Sequence, residues 1–263
     1  MISKETIIKS LRKEKENQGE ISLPDISQMD FDVTDTITVG GQKSSGKSWF
    51  LSYLANLYPK VVMYDPRWER YTNKDKKAMS EKALPMPEKW VTAYSLDELR
   101  KHIYAGKTHI LYHPMPLVLG KRTDEDRIEE FNQVANFIYE WGNFTFFIDE
   151  ADQYCDSYHI PDGFKNIMEY SKHRNLGIVA ATRRFQHLNT RIPRLSDKLV
   201  LFRLSGKDFK YIQEYVVEPE GTESKSDYFD QWKHKLTGLE DRHFFIFDTR
   251  SLIEFKPITD LIK

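Results

Sequence analysis

"GGQKSSGKSWF", residues 40–50, sets Gly41, four further residues and then Gly46-Lys47-Ser48 in a row. That is the spacing of a phosphate-binding loop, in which backbone N–H groups and a helix N-terminus converge on an anion. The flanks agree with it. Residues 36–39 (TITV) read as a strand running into the loop. Residues 48–58, with Phe50, Leu51, Leu54 and Leu57 at helical spacing, read as a helix stopped by Pro59. The stretch Gly41, Gln42, Lys43, Ser44, Ser45, Gly46, Lys47, Ser48 and Trp49 is therefore expected to cradle the phosphates of ATP. Lys47 would reach the β- and γ-phosphates, and the Ser48 hydroxyl would hold Mg²⁺. Two other Gly-Lys pairs lack this context. Gly106-Lys107-Thr108 has Lys101 where the first glycine belongs, and it follows a helix and precedes a strand; Gly120-Lys121-Arg122 fails in composition.

Beyond the loop, strand-like and helix-like stretches alternate. Apolar runs at 61–64, 109–112, 144–148, 178–181 and 199–202 predict strands buried on both faces, as in a parallel sheet. Between them lie helix patterns. Ser95 with Glu98, Thr123 with Asp126, and Ser205 with Asp208 give N-terminal capping signals. A further helix is expected over 163–174, and residues 243–247 and 252–255 read as a last pair of strands. The expected architecture is α/β: a mostly parallel central sheet flanked by helices, with a C-terminal β-hairpin. Residues 1–30 would form an N-terminal helix or arm, and 31–263 one domain with a polar insertion at 67–90 and C-terminal helices and hairpin over 206–263.

The run 144–150 (FFIDE at its end) delivers two carboxylates from the tip of a buried strand. Asp149 is placed to hold the Mg²⁺ shell, and Glu150 to polarise an attacking water as general base. Behind a complete phosphate loop, these acids predict ATP hydrolysis.

Composition excludes several classes. The 263 residues carry a formal net charge of −1, so the chain as a whole is no nucleic-acid magnet, although 165–194 holds seven Lys/Arg against one acid. No apolar run approaches the ~18 residues that span a bilayer, and the charged start MISKETIIKSLRKEKENQGE does not read as a signal peptide. A lone cysteine, Cys155, suits a cytoplasmic setting and excludes an intramolecular disulfide.

After the acids comes "SKHRNLGIVAATRRFQHLN", residues 171–189: helix, arginine, glycine, then a strand ending in Thr182-Arg183-Arg184. From about residue 36 to 202 this order of motifs resembles the FtsK–HerA superfamily of ATP-driven DNA pumps, which have a RecA-like P-loop fold. The resemblance implies that Thr182 matches the polar sensor at the end of the fourth core strand. Arg183 stands where the family usually has glutamine, and Phe185 where it has proline. Arg174 resembles the family's trans-acting arginine finger. Among such pumps the chain is most similar to compact viral and phage genome-packaging ATPases, which implies double-stranded DNA as partner, a homo-oligomeric ring of five or six copies, a capsid portal or vertex protein, and no membrane. The Lys-rich stretch 67–82 or the turn at 120–127 is the expected DNA-facing element. Other readings are a filamentous-phage assembly ATPase, a P-loop kinase or switch indifferent to DNA, and a non-enzymatic ATP-binding scaffold.

Overall fold

A computed structural model describes residues 31–66, 71–72, 84–85, 89–114, 123–215, 225–248 and 252–255. Nine strands form one sheet: β1 (Thr36–Gly40), β2 (Val61–Tyr64), β3 (Val91–Ala93), β4 (His109–Tyr112), β5 (Thr145–Ile148), β6 (Gly177–Thr182), β7 (Lys198–Leu201), β8 (Phe244–Asp248) and β9 (Leu252–Phe255). Their spatial order is β9-β8-β7-β1-β6-β5-β2-β4-β3. Strands β1 to β7 pair in parallel, and β8 and β9 add an antiparallel hairpin. The expected α/β class with a C-terminal hairpin is what the chain forms.

Side chains alternate between the two faces of this sheet, as the pleat requires. On one face Ile37, Val39, Val61, Met63, Phe147, Val179 and Ala181 meet Phe50, Leu51 and Leu54 of α1 (Lys47–Leu57). On the other, Val62, Tyr64, Phe146, Ile148, Ile178 and Ala180 pack under α2 (Leu96–Tyr104), α3 (Asp124–Trp141) and α4 (Asp162–Tyr170). A sheet covered on both faces needs apolar side chains at every position, and β2, β4, β5 and β6 are buried throughout.

The caps act where they were expected. Thr123 and Asp126 make a reciprocal capping box at the start of α3. Ser95 accepts from Glu98 N at 3.2 Å, and Ser205 accepts from Asp208 N at 3.1 Å to open α5 (Gly206–Ile212). The helix predicted over 163–174 divides instead: α4 ends at Tyr170 and a 3₁₀ segment, Ser171–Arg174, follows. Strand β3, just past the polar insertion, was not predicted; among the helices expected over 206–263, α6 (Lys225–Gly238), whose bounds the sequence did not give, precedes the hairpin with Trp232 and Leu236 buried. Within the insertion, Tyr71–Thr72 pairs in parallel with Leu84–Pro85. The predicted N-terminal helix, most of 67–82 and residues 120–122 lie outside the described residues.

This topology decides where chemistry can occur. All seven parallel strands end at one edge, and β6 alone separates the loop-bearing β1 from the acid-bearing β5. Two strand spacings, about 10 Å, therefore separate the two motifs.

Candidate active site

The loop after β1 has the backbone geometry of an anion cradle. Ser44 and Gly46 have φ of 66° and 111°. At Gly41 a side chain is excluded sterically: a Cβ would come within 2.6 Å of Phe202 Cβ and 2.8 Å of Ser45 Oγ. Helix α1 starts at Lys47 with no side-chain cap and no acidic residue of its own in its first turn, which leaves its positive end free of a local carboxylate. The loop is clasped by the chain's later segments. Gln42 N donates to Arg203 O at 2.8 Å, and Arg242 N donates to Ser45 O at 2.9 Å.

Lys47 is buried, and its Nζ donates to Gly41 O at 2.5 Å and Gln42 O at 2.8 Å. The ammonium is thus held at the loop itself. Ser45 Oγ is buried and has no hydrogen-bond partner. Cradle, cation and orphaned hydroxyl fit a polyphosphate.

The acids arrive from β5. Ser48 Oγ donates to Asp149 Oδ2 at 3.4 Å, across 101 positions of sequence. Mg²⁺ takes hard oxygen donors and keeps several waters, and the Ser48 hydroxyl and Asp149 carboxylate are donors of that kind. Among the described residues no group of three or more His, Cys, Asp or Glu could hold a metal ion.

Glu150 is 2% exposed and adopts the left-handed conformation, φ 57° and ψ 47°, at the turn into a 3₁₀ segment, Ala151–Gln153. Both of its carboxylate oxygens are engaged: Arg183 pairs with Oε1 and Gln153 Nε2 donates to Oε2. Gln153 in turn accepts from Arg127 Nη2 at 2.6 Å, which ties the carboxylate to the first turns of α3. A left-handed non-glycine residue carries strain of about 1–3 kcal/mol, and such strain clusters at functional sites.

Thr182 closes β6 opposite Gly40, the residue that enters the loop. It is fully buried and its hydroxyl donates to Asp152 Oδ1 at 2.9 Å, while Arg184 N donates back to Thr182 Oγ1 at 3.1 Å. Burial lifts the Asp152 carboxyl above the usual carboxylate range, and the Thr182 hydrogen bond opposes that shift. Lys47, Ser48, Asp149, Glu150, Thr182 and Arg183 thus gather at one edge of the sheet.

Arg174 does not join them. It precedes β6, whose six residues span roughly 20 Å, so it lies at the opposite edge. There its carbonyl accepts from Asn143 N at 2.9 Å and its guanidinium lies 5.2 Å from the centre of the Tyr139 ring. Sequence reasoning missed Gln153 and Asp152. Both follow Glu150 within three positions, and the polar run DEADQ at a strand tip was the available signal.

No family model matches this sequence, and no curated protein does. Solved structures match the fold. The genome packaging NTPase B204 from Sulfolobus turreted icosahedral virus 2, in complex with ATP-gammaS, is similar with a TM-score of 0.60 at 18% identity, over 87% of this chain and 100% of that one. B204 described as the DNA-packaging ATPase from Sulfolobus turreted icosahedral virus gives 0.56 at 18%, over 85% and 97%. VirB4 of Thermoanaerobacter pseudethanolicus gives 0.55 at 11%, over 92% and 94%. At these identities the likeness is one of fold. The chain has the fold of the genome-packaging NTPase B204 and of VirB4, in agreement with the resemblance to FtsK–HerA ATPases carried by its motifs.

Proposed function

We propose that this chain is an ATP-hydrolysing motor that moves double-stranded DNA, packaging a viral or phage genome into a capsid as a ring of five or six copies in the host cytoplasm. The observation that carries the reading is the Ser48–Asp149 contact of 3.4 Å, which unites the phosphate loop with the acidic strand tip. Similarity to B204 over most of both chains supports the packaging role.

In this mechanism Lys47 exchanges the Gly41 and Gln42 carbonyls for β- and γ-phosphate oxygens. Ser48 and Asp149 would hold Mg²⁺, which would supply positive charge to offset that building on the phosphates. Glu150 accepts the proton of the attacking water as the oxygen bonds to the γ-phosphorus and the bond to ADP breaks. To do so its carboxylate must leave Arg183 or Gln153, because both oxygens are already hydrogen-bonded. Thr182 and Arg183, on the strand between loop and acids, are positioned to respond to the γ-phosphate. Arg174, at the far edge, acts on the neighbouring copy. A portal or vertex protein would anchor the ring. No helix among the described residues is long and apolar enough to cross a membrane.

Purified protein assayed for phosphate release with and without duplex DNA, beside electron microscopy, tests the reading. Expected are rings and DNA-stimulated turnover. Turnover that ignores DNA in a monomer would point to a kinase or switch instead.

A further inference from the structure

Five non-glycine residues among those described have positive φ: Ser44, Asn143, Glu150, Asn175 and Arg242. Two are asparagines, which tolerate this conformation, and they hydrogen-bond to each other at 3.1 Å beside Arg174. The other three converge on one place. Ser44 belongs to the phosphate loop, and Glu150 is the proposed base. Arg242, far away in sequence, lies against the same loop with φ 72°. Its N–H holds Ser45 O at 2.9 Å, and a Cβ on Gly46 would lie 3.1 Å from its Cα and 3.3 Å from its Cγ.

The left-handed conformation costs an ordinary L-residue about 1–2 kcal/mol, and glycine would form the same turn without that cost. Arginine here therefore adds a guanidinium at the expense of local strain. The side chain is exposed and makes no hydrogen bond or ion pair among the described residues. Of the neighbouring acids, Asp241 pairs with Arg203 Nη2 at 2.7 Å, and Glu240 is exposed, its carboxylate 3.9 Å from His243 Nδ1.

We infer that Arg242 supplies a second cation, beside Lys47, for the polyphosphate of the nucleotide held in the loop. The C-terminal hairpin then has a role beyond extending the sheet, since the turn leading into it completes the substrate site. This inference rests on the proposed nucleotide site.

Arg242→Gly separates side chain from backbone, because it relaxes the turn and keeps the N–H on Ser45. Binding of ATP and of adenosine is measured for wild type, R242G and R242K, together with thermal midpoints. R242G is expected to melt no lower than wild type and to bind ATP about 10- to 100-fold more weakly, the loss of a charged hydrogen bond. Adenosine affinity stays unchanged, and R242K recovers part of the loss. Wild-type ATP affinity in R242G, or an equal loss for adenosine, would overturn the inference. Absence of ATP binding by the wild-type protein would instead overturn the nucleotide site itself, and the wild-type arm reports that separately.

Discussion

Glu150→Gln leaves ATP bound and lowers the rate of hydrolysis by about 10²–10⁴-fold, the usual contribution of a general base. The substitution is isosteric at a site only 2% exposed, so packing is preserved. The amide oxygen still accepts from Arg183, while the new NH2 group faces Gln153 Nε2 and costs that hydrogen bond as well as the ability to take a proton. The Glu150–Arg183 pair becomes a hydrogen bond between a neutral and a charged group, and Arg183 is 26% exposed. Single-turnover phosphate release, paired with equilibrium binding of a fluorescent ATP analogue, separates the two effects. Undiminished turnover would mean that the proton acceptor is another group.

The second large effect concerns a residue nowhere near its own loop. Arg174→Ala should reduce turnover of the assembled protein by about 10³-fold or more, the range of arginine fingers, with ATP affinity of the single chain unaltered. Arg174 lies roughly 20 Å along β6 from its own phosphate loop, so in the proposed ring its role in hydrolysis falls to a neighbour's site. A ring is built from head-to-tail contacts, each joining two different surfaces of the same chain. A group on the far edge is available to the next copy's site. Mixing supplies the discriminating readout. Assemblies of Arg174→Ala with Glu150→Gln chains contain interfaces where an intact Glu150 faces an intact Arg174, so two inactive variants together regain activity. If Arg174 only stabilises the Tyr139 and Asn143 contacts of its own chain, R174A lowers the melting temperature and mixing restores nothing.

Local signals carried most of the fold. The loop glycines, the capping residues Ser95, Thr123 and Ser205, and the continuous apolar runs of β2, β5 and β6 each have a short-range physical cause, and each element stands where the pattern puts it. The misses have causes too. Strand β3 is three residues long and lies at the sheet edge, too short for alternation to register. In α6 the apolar positions Tyr228, Phe229, Trp232 and Leu236 fall within a strongly charged segment. The break between α4 and Ser171–Arg174 reflects a tertiary lock rather than a sequence breaker. Gly142, at φ 73°, brings Asn143 N onto Arg174 O, where a Cβ at 142 would meet that oxygen at 2.7 Å.

At the proposed site, the sequence showed that two acids end a strand, but not what they pair with. Motif order pointed to Asp149 and Glu150, while the grip of Arg183 and Gln153 on Glu150 depends on how two neighbouring strand tips turn. Arg242 was beyond reach of any motif, because its closeness to Ser45 arises only when the C-terminal hairpin pairs with β7.

The central claim is that the phosphate loop and the acidic strand tip serve one metal-bound triphosphate. A structure with Mn²⁺ and a non-hydrolysable ATP analogue, read by anomalous scattering, tests it most directly. The account predicts one Mn²⁺ beside Ser48 Oγ and Asp149, with the γ-phosphate between Lys47 and Glu150. Nucleotide bound elsewhere, or none bound to the folded protein at saturating analogue, would contradict it.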